Sequence, residues 1–341
     1  MINQIRDPSR LLEHIDSELE AGDAKRGLQS SGAMRLDVVR GSSSAERGSE
    51  LGLLVRAGAD VLRSGRRPAS EEEQAGLEAI VHLYSRPAIA IQNDSFKLAP
   101  GIDREWRTLE THRSKIESII PSAGRINVDG HALYDWIGTG FRIGNDAVLT
   151  NRHVAQEFAD SDMGWTFIEG IDVSIGMRHE HNQKREKVAY QLVGPVRVHN
   201  VYDAALIRLE SSTPSASCVH FASSDSNARR GRDVYVVGFP AHDERREISN
   251  AMRRIFGDLF GVKRLSPGRS LGCRRRKIRG ERVQVLIHDC STLGGNSGSC
   301  VIDVETNEVI GLHYGGKYRR RNVAVPIWAL IEDGFLSEHI L

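Results

Sequence analysis

Hydrophobic positions change period once along the chain, near residue 86, and that change divides it. Before it the spacing is helical. Leu11, Leu12, Ile15 and Leu19 share one face behind Asp7, placed to cap, with Pro8 at the first helical position. A Gly/Ser-rich break at 41–44 precedes a second apolar segment, 51–62. A third begins at Ser70, with Glu73 in capping-box spacing ahead of Leu77, Ile80, Val81 and Leu83. One more helix is expected at 105–119. After Pro121 the chain reads as short alternating runs punctuated by Gly, Asn and Asp, at 125–128, 136–143, 147–151, 173–177, 188–193, 204–209, 234–239, 283–288, 299–302, 309–314 and 323–326. So many short strands predict sheets closed into barrels or stacked in sandwiches rather than a parallel α/β core.

Composition narrows the class. The chain has 341 residues, with 46 Lys and Arg against 45 Asp and Glu, a formal charge of +1 and 40% hydrophobic residues. That balance excludes a disordered chain or a globally basic nucleic-acid coat. Arg6, Asp7 and Arg10 stand where a secretory leader needs an apolar run, and 234–241, the longest uncharged apolar stretch, is too short to span a bilayer. Cys218, Cys273, Cys290 and Cys300 form no CxxC pair, as expected of thiols in a reducing compartment, so a cytoplasmic location without membrane association is expected. The segment 263–282 is rich in Lys and Arg but lacks interleaved aromatics. It reads as a solvated loop able to steer acidic substrates, not as a nucleic-acid site. His179-Glu180-His181 offers two imidazoles without a third ligand, so no metal and no cofactor are expected.

Three segments of the strand-rich region carry chemistry. GTGFRIGNDAVLTNRHVA, residues 138–155, leads through two strands to His153 in a short turn. NVYDAALIRL, residues 200–209, sends Asp203 into an apolar strand. STLGGNSGS, residues 291–299, places Ser297 in a glycine-rich loop. A serine hydroxyl does not lose its proton unaided near neutral pH. A His that accepts it, oriented by a buried carboxylate, makes it a nucleophile. Glycines around the serine let a tight turn aim backbone N–H groups at a developing oxyanion, so Gly295 and Ser297 are the expected donors. Asp160, Asp162 and Asp172 compete with Asp203 as partners of the His.

The order His153, Asp203, Ser297 matches the chymotrypsin arrangement and neither the subtilisin nor the α/β-hydrolase order. With TNRHVA, YDAALIRL, STLGGNSGS and VIGLHYGG, the chain resembles the chymotrypsin-like (trypsin-like) serine proteases, and within them the bacterial glutamyl endopeptidases, over about residues 124–330. The resemblance implies a mainly β protease domain over 124–341, made of two six-stranded barrels. A helical module over 1–85, regulatory or recruiting, and a connecting segment over 86–123 precede it. It also implies a serine endopeptidase acting on protein or peptide substrates. The rival class is a binding or scaffold protein on the same fold, whose N-terminal helices carry the function through a partner.

The same resemblance bears on specificity. Where trypsins hold the Asp that binds Lys or Arg, this chain has Ser291. Thr292 and His313 match the Thr and His with which glutamyl endopeptidases hold an acidic P1 side chain, and Gly315 and Gly316 would line the bound peptide. Secreted members of that branch add an N-terminal ammonium to the pocket. Here Lys317 or Arg319, Arg320 and Arg321 are the candidates for replacement charge.

Overall fold

Alternation along the first barrel's strands turns Ile126, Val128, Val173, Ile175 and Ile207 inward onto one buried cluster, so the apolar face of each strand is covered by its neighbours. The computed structural model describes residues 8–9, 11–13, 15–17, 44–70, 72–73, 77, 85–98, 106–182, 188–210, 219–241, 256, 259–317 and 321–337. Ile80, Val81 and Leu83 of the third predicted helix, and Cys218, lie outside these residues. Two compact units are present. The first comprises 1–88, 98–107 and 243–260, and the second 89–97, 108–242 and 261–341.

In the first unit Ile15, Val55, Ala59, Val61, Leu62 and Leu77 form a core against which Leu11 and Leu12 pack. The helix expected at 51–62 runs over Ser44–Ser64 and takes in the end of the predicted break. Ser70 Oγ accepts from Glu73 N–H at 3.1 Å, the first half of a capping box. The Arg66 guanidinium holds the Glu73 carboxyl down to about 2. Trp106 is fully buried, donates to Ser85 O at 3.1 Å and lies under Arg86.

The second unit is β-rich. β1 (Ile89–Gln92) and β2 (Ser95–Phe96) form a hairpin, and helices Arg107–Thr111 and Arg113–Ile119, divided at His112, replace the single helix expected there. Then come β3 (Ala123–Asp129), β4 (Trp136–Ile143), β5 (Ala147–Thr150), β6 (Ala159–Asp160), β7 (Thr166–Phe167), β8 (Asp172–Gly176), β9 (Ala189–Val198) and β10 (Ala205–Leu209). Strands β10-β5-β4-β3-β8-β9 close into a six-stranded antiparallel barrel. β11 (His220–Phe221), β12 (Asp233–Gly238), β13 (Arg264–Ile278), β14 (Glu281–His288), β15 (Cys300–Asp303), β16 (Glu308–Lys317) and β17 (Arg321–Pro326) build the second sheet. Its order is β12-β15-β16-β17-β14-β13-β1-β2, with β11 on β16; β12 also pairs with β13, so the first six of these strands return on themselves. The mainly β double-barrel class is therefore present.

One expectation fails here. Residues 263–282 are not a loop: β13 pairs first with β12 and then with β14, and the turn at Arg279 (φ +48°) and Gly280 (φ +90°) closes a two-residue hairpin. Charge masks the alternation that would have announced a strand. Lys263 is fully buried just ahead of β13, donating to Ile120 O at 3.0 Å and Met177 O at 2.6 Å, with Glu180 Oε1 3.7 Å away. The ammonium thereby ties the start of β13 to the turn before β3 and to the end of β8.

Burial pushes Lys263 from 10.5 down to about 8. The unfolded chain then binds more protons than the folded one between those values, so folding stability rises with pH across that window, by about 1.4 kcal/mol per unit at most. Urea denaturation from pH 7 to 10.5 should show wild type gaining on Lys263→Met between pH 8 and 10. Parallel curves would contradict a buried, depressed lysine.

Candidate active site

β5 delivers its last residue, Thr150, to the first barrel's rim, where Thr150 Oγ1 donates to Thr139 O of β4 at 2.7 Å. Asn151 is extended, and Arg152–Ala155 form one helical turn that carries His153. Asp203, at the entry to β10, faces that turn. Its Oδ1 accepts the backbone N–H of His153 at 3.0 Å and its Oδ2 meets His153 Nδ1 at 2.6 Å. With the carboxylate accepting, Nδ1 carries the proton and the lone pair lies at Nε2, on a side chain 43% exposed. Burial alone would raise the Asp203 pKa. The His153 hydrogen bonds and charge, with the charge of Arg152, outweigh it and hold the carboxyl below its ordinary value. Asp160, Asp162 and Asp172 do not make this contact.

The turn that presents Asp203 is itself shaped by side chains. His199 Nδ1 accepts the N–H groups of Val201 and Tyr202, each at 3.0 Å, and its Nε2 meets Asp333. Arg152 donates to His199 O and, at 2.8 Å, to Tyr202 O, while Asn151 Nδ2 donates to Asp203 O at 2.8 Å. Two residues of the His153 motif, Asn151 and Arg152, thus hold the turn that carries Asp203.

The serine loop is gripped by β4. Thr139 N–H donates to Ser297 O at 2.8 Å, and Thr139 Oγ1 donates to Gly295 O at 2.7 Å while accepting from Phe239 N–H at 3.1 Å. With both carbonyls turned onto Thr139, the N–H groups of Gly295 and Ser297 have no acceptor among the described residues. Gly298 has φ +90°, and a Cβ there would lie 1.8 Å from Thr139 O, so only glycine fits. A Cβ on Gly138 would lie 3.0 Å from Val154 Cγ2 and 3.1 Å from Ser297 O, which sets the serine against the residue after His153. The structure joins His153 to Asp203 by hydrogen bonds. Ser297 O and Val154 both pack on Gly138, and no hydrogen bond from Ser297 Oγ to the imidazole is present among the described residues.

On the second sheet, Gly298 N–H donates to His313 O and His313 N–H to Ser299 O, both at 2.8 Å, so β16 holds the other side of the loop. The His313 and His288 rings are buried, with His288 Nε2 and His313 Nδ1 3.1 Å apart. Burial pushes His288 down to about 3 and, with the neighbouring His288 and His153, pushes His313 well below its ordinary value. Both imidazoles are therefore neutral near pH 7. His288 Nδ1 has no partner among the described residues. An orphaned acceptor is cheaper to bury than an orphaned N–H, so His288 Nε2 donates to His313 and leaves His313 protonated at Nε2. Ser291 is buried, Thr292 and Gly315 are half-buried and Gly316 is exposed. Of the replacement cations only Arg321 has a described side chain, and it is exposed.

The trypsin-like peptidase domain family matches residues 138–312, from the strand that grips the serine loop to the residue before His313. The chain belongs to that family. It is a serine protease of the trypsin-like class. A probable serine protease of Lysobacter enzymogenes is 28% identical over 306 residues, covering 79% of this chain and 76% of that one. The glutamyl endopeptidase of Staphylococcus epidermidis is 25% identical over 261 residues, covering 73% and 77%. A protease of M. tuberculosis solved in its active form aligns over 75% of this chain and 92% of its own, with 18% identity and a TM-score of 0.47.

Sequence reading missed Thr139, Arg152, His199 and His288 in this trypsin-like site. Thr139 and Arg152 stand inside quoted motifs, but their partners are distant in sequence. Nothing local marks His288. Thr139→Val keeps the shape of the side chain and leaves Gly295 O unpaired, a penalty of about 1–3 kcal/mol on the formed loop. Peptide hydrolysis should fall roughly tenfold or more in kcat while KM stays within about twofold. An unchanged kcat would show that Thr139 does not position the loop.

Proposed function

We propose that the protein cleaves peptide bonds through Ser297, His153 and Asp203, favouring an acidic residue at P1. Ser297 Oγ attacks the scissile carbonyl while His153 Nε2 takes its proton. Asp203 keeps the other ring nitrogen protonated and stabilises the imidazolium that forms. The unspent N–H groups of Gly295 and Ser297 receive the oxyanion, and His153 then passes its proton to the leaving amine. Water, deprotonated by the same His153, hydrolyses the acyl-enzyme. The observation that carries this reading is the double hydrogen bond from His153 to the Asp203 carboxylate, which leaves Nε2 with a lone pair.

Specificity follows from what the pocket residues offer. Ser291 supplies no anion to a Lys or Arg side chain. Thr292, and His313 protonated at Nε2, are donors suited to a carboxylate, and His288 sets that tautomer. The likeness to glutamyl endopeptidases supports the same preference. The proposed setting is cytoplasmic, with a helical first unit that recruits or regulates.

Ser297→Ala should abolish covalent labelling by a fluorophosphonate with its melting temperature unchanged, and labelling at the wild-type rate would remove the nucleophile assignment. In a peptide-library profile, Glu at P1 should be cleaved better than Lys or Phe, and His313→Ala should erase most of that preference by leaving the carboxylate poorly paired. A profile dominated by Lys, Arg or large apolar residues would sink the specificity claim while leaving the nucleophile standing.

A further inference from the structure

Beyond Cys273 the partner of β13 is β14 alone, and β14 pairs with β17 only at Leu286, Ile287 and His288. The chain from 273 to 285 is thus a two-stranded ribbon leaving the sheet. It carries Arg274, Arg275, Arg276, Lys277, Arg279 and Arg282 against one carboxylate, Glu281. All are exposed, and none of the cations is ion-paired with a described residue. Lys277 stands directly opposite Arg282 in the ladder, an arrangement of like charges that destabilises a hairpin. Such charge density has no use inside the fold and fits an external anion.

The ribbon's placement says which anion. The backbone of Gln284 lies close enough to the Tyr202 hydroxyl to act on its pKa, and Tyr202 is the residue before Asp203. Ile278 and Val285 pack in one apolar cluster with Tyr314, the residue after His313. The charge of Arg276 acts on Tyr314, and that of Arg279 on Arg152, the residue before His153. The ribbon therefore stands beside the Asp203 turn and β16. A peptide whose P1 residue sits at His313, with its preceding residues extended along β16, passes this ribbon. At about 3.3 Å per residue, P2 to P5 cover roughly 13 Å, within the roughly 20 Å of a six-residue ribbon.

We propose that the β13–β14 ribbon is a substrate exosite that binds Asp and Glu side chains N-terminal to P1, so that the enzyme selects acidic stretches of polypeptide. The inference rests on Ser297 and His153 being the reacting pair and is independent of the P1 preference. The field of clustered cations beside a cleft raises the capture rate of an anionic chain and is screened by salt.

The test holds P1 at whichever residue the wild-type enzyme cleaves best and compares two peptides, one with Asp and Glu at P2 to P5 and one with Asn and Gln there. At about 20 mM salt, the ratio of kcat/KM for acidic over neutral peptide should be roughly ten- to hundredfold, falling severalfold at about 500 mM. In the full-length quadruple variant Arg275→Gln, Arg276→Gln, Lys277→Gln, Arg279→Gln the ratio should approach one at either salt. The neutral peptide is the reference within each protein, so a folding defect cannot imitate the result. A wild-type ratio near one, or an equal ratio in wild type and variant, overturns the proposal. So does a variant that keeps the ratio but loses binding of a 20-nucleotide single-stranded DNA, because the ribbon would then serve nucleic acid. Hydrolysis of neither peptide by wild type, together with no fluorophosphonate on Ser297, would remove the catalytic reading and this one with it.

Discussion

Asp203 accepts two N–H groups from the same residue, one from the backbone of His153 and one from its ring. A partly buried carboxylate is costly unless its oxygens are paired. Here the pairing that makes it tolerable also fixes the imidazole tautomer. The rest of the first barrel's rim follows from bringing these two residues together. β5 and β10 are neighbours in the barrel, so their ends lie side by side, and Asn151, Arg152 and His199 bend the turn 199–203 until the carboxylate meets the helical turn. The site is therefore a property of barrel closure, not of the motifs taken singly.

Thr139 extends this constraint to the second sheet. Its backbone and hydroxyl hold two carbonyls of the serine loop, while the N–H groups of Gly295 and Ser297 keep no acceptor among the described residues. Gly298 can have no side chain because Thr139 O and Thr150 Oγ1 occupy the space. β16 closes the loop from its other side through Gly298 and His313. A loop fastened at both edges is rigid where an oxyanion would form, and preorganisation of that kind is how backbone donors lower a barrier.

Legibility in the sequence followed the range of the interactions. β4 runs over Trp136–Ile143, the bounds its short run between turn residues predicted, and both of its faces are buried from Gly138 onward. His153, Asp203 and Ser297 stood out because each lies in a local pattern with a chemical reason. The strand β13 was hidden because Arg264 and a run of arginines occupy positions that apolar residues usually mark. The division of 105–119 at His112 carried no glycine or proline signal. Thr139 and His288 act through partners more than twenty residues away, and only the folded chain brings those partners near. The pairing of His288 with His313 is likewise a contact that composition could not specify.

The central proposal is that Ser297 Oγ is the nucleophile, with the His153 lone pair as its base and the unpaired N–H groups of Gly295 and Ser297 as oxyanion donors. A crystal structure of the fluorophosphonate adduct tests it most directly. The account predicts phosphorus bonded to Ser297 Oγ, a phosphoryl oxygen about 2.7–3.1 Å from the nitrogens of Gly295 and Ser297, and His153 still bonded to Asp203 through Nδ1. Phosphorus on another residue, or a phosphoryl oxygen turned away from both nitrogens, would contradict it.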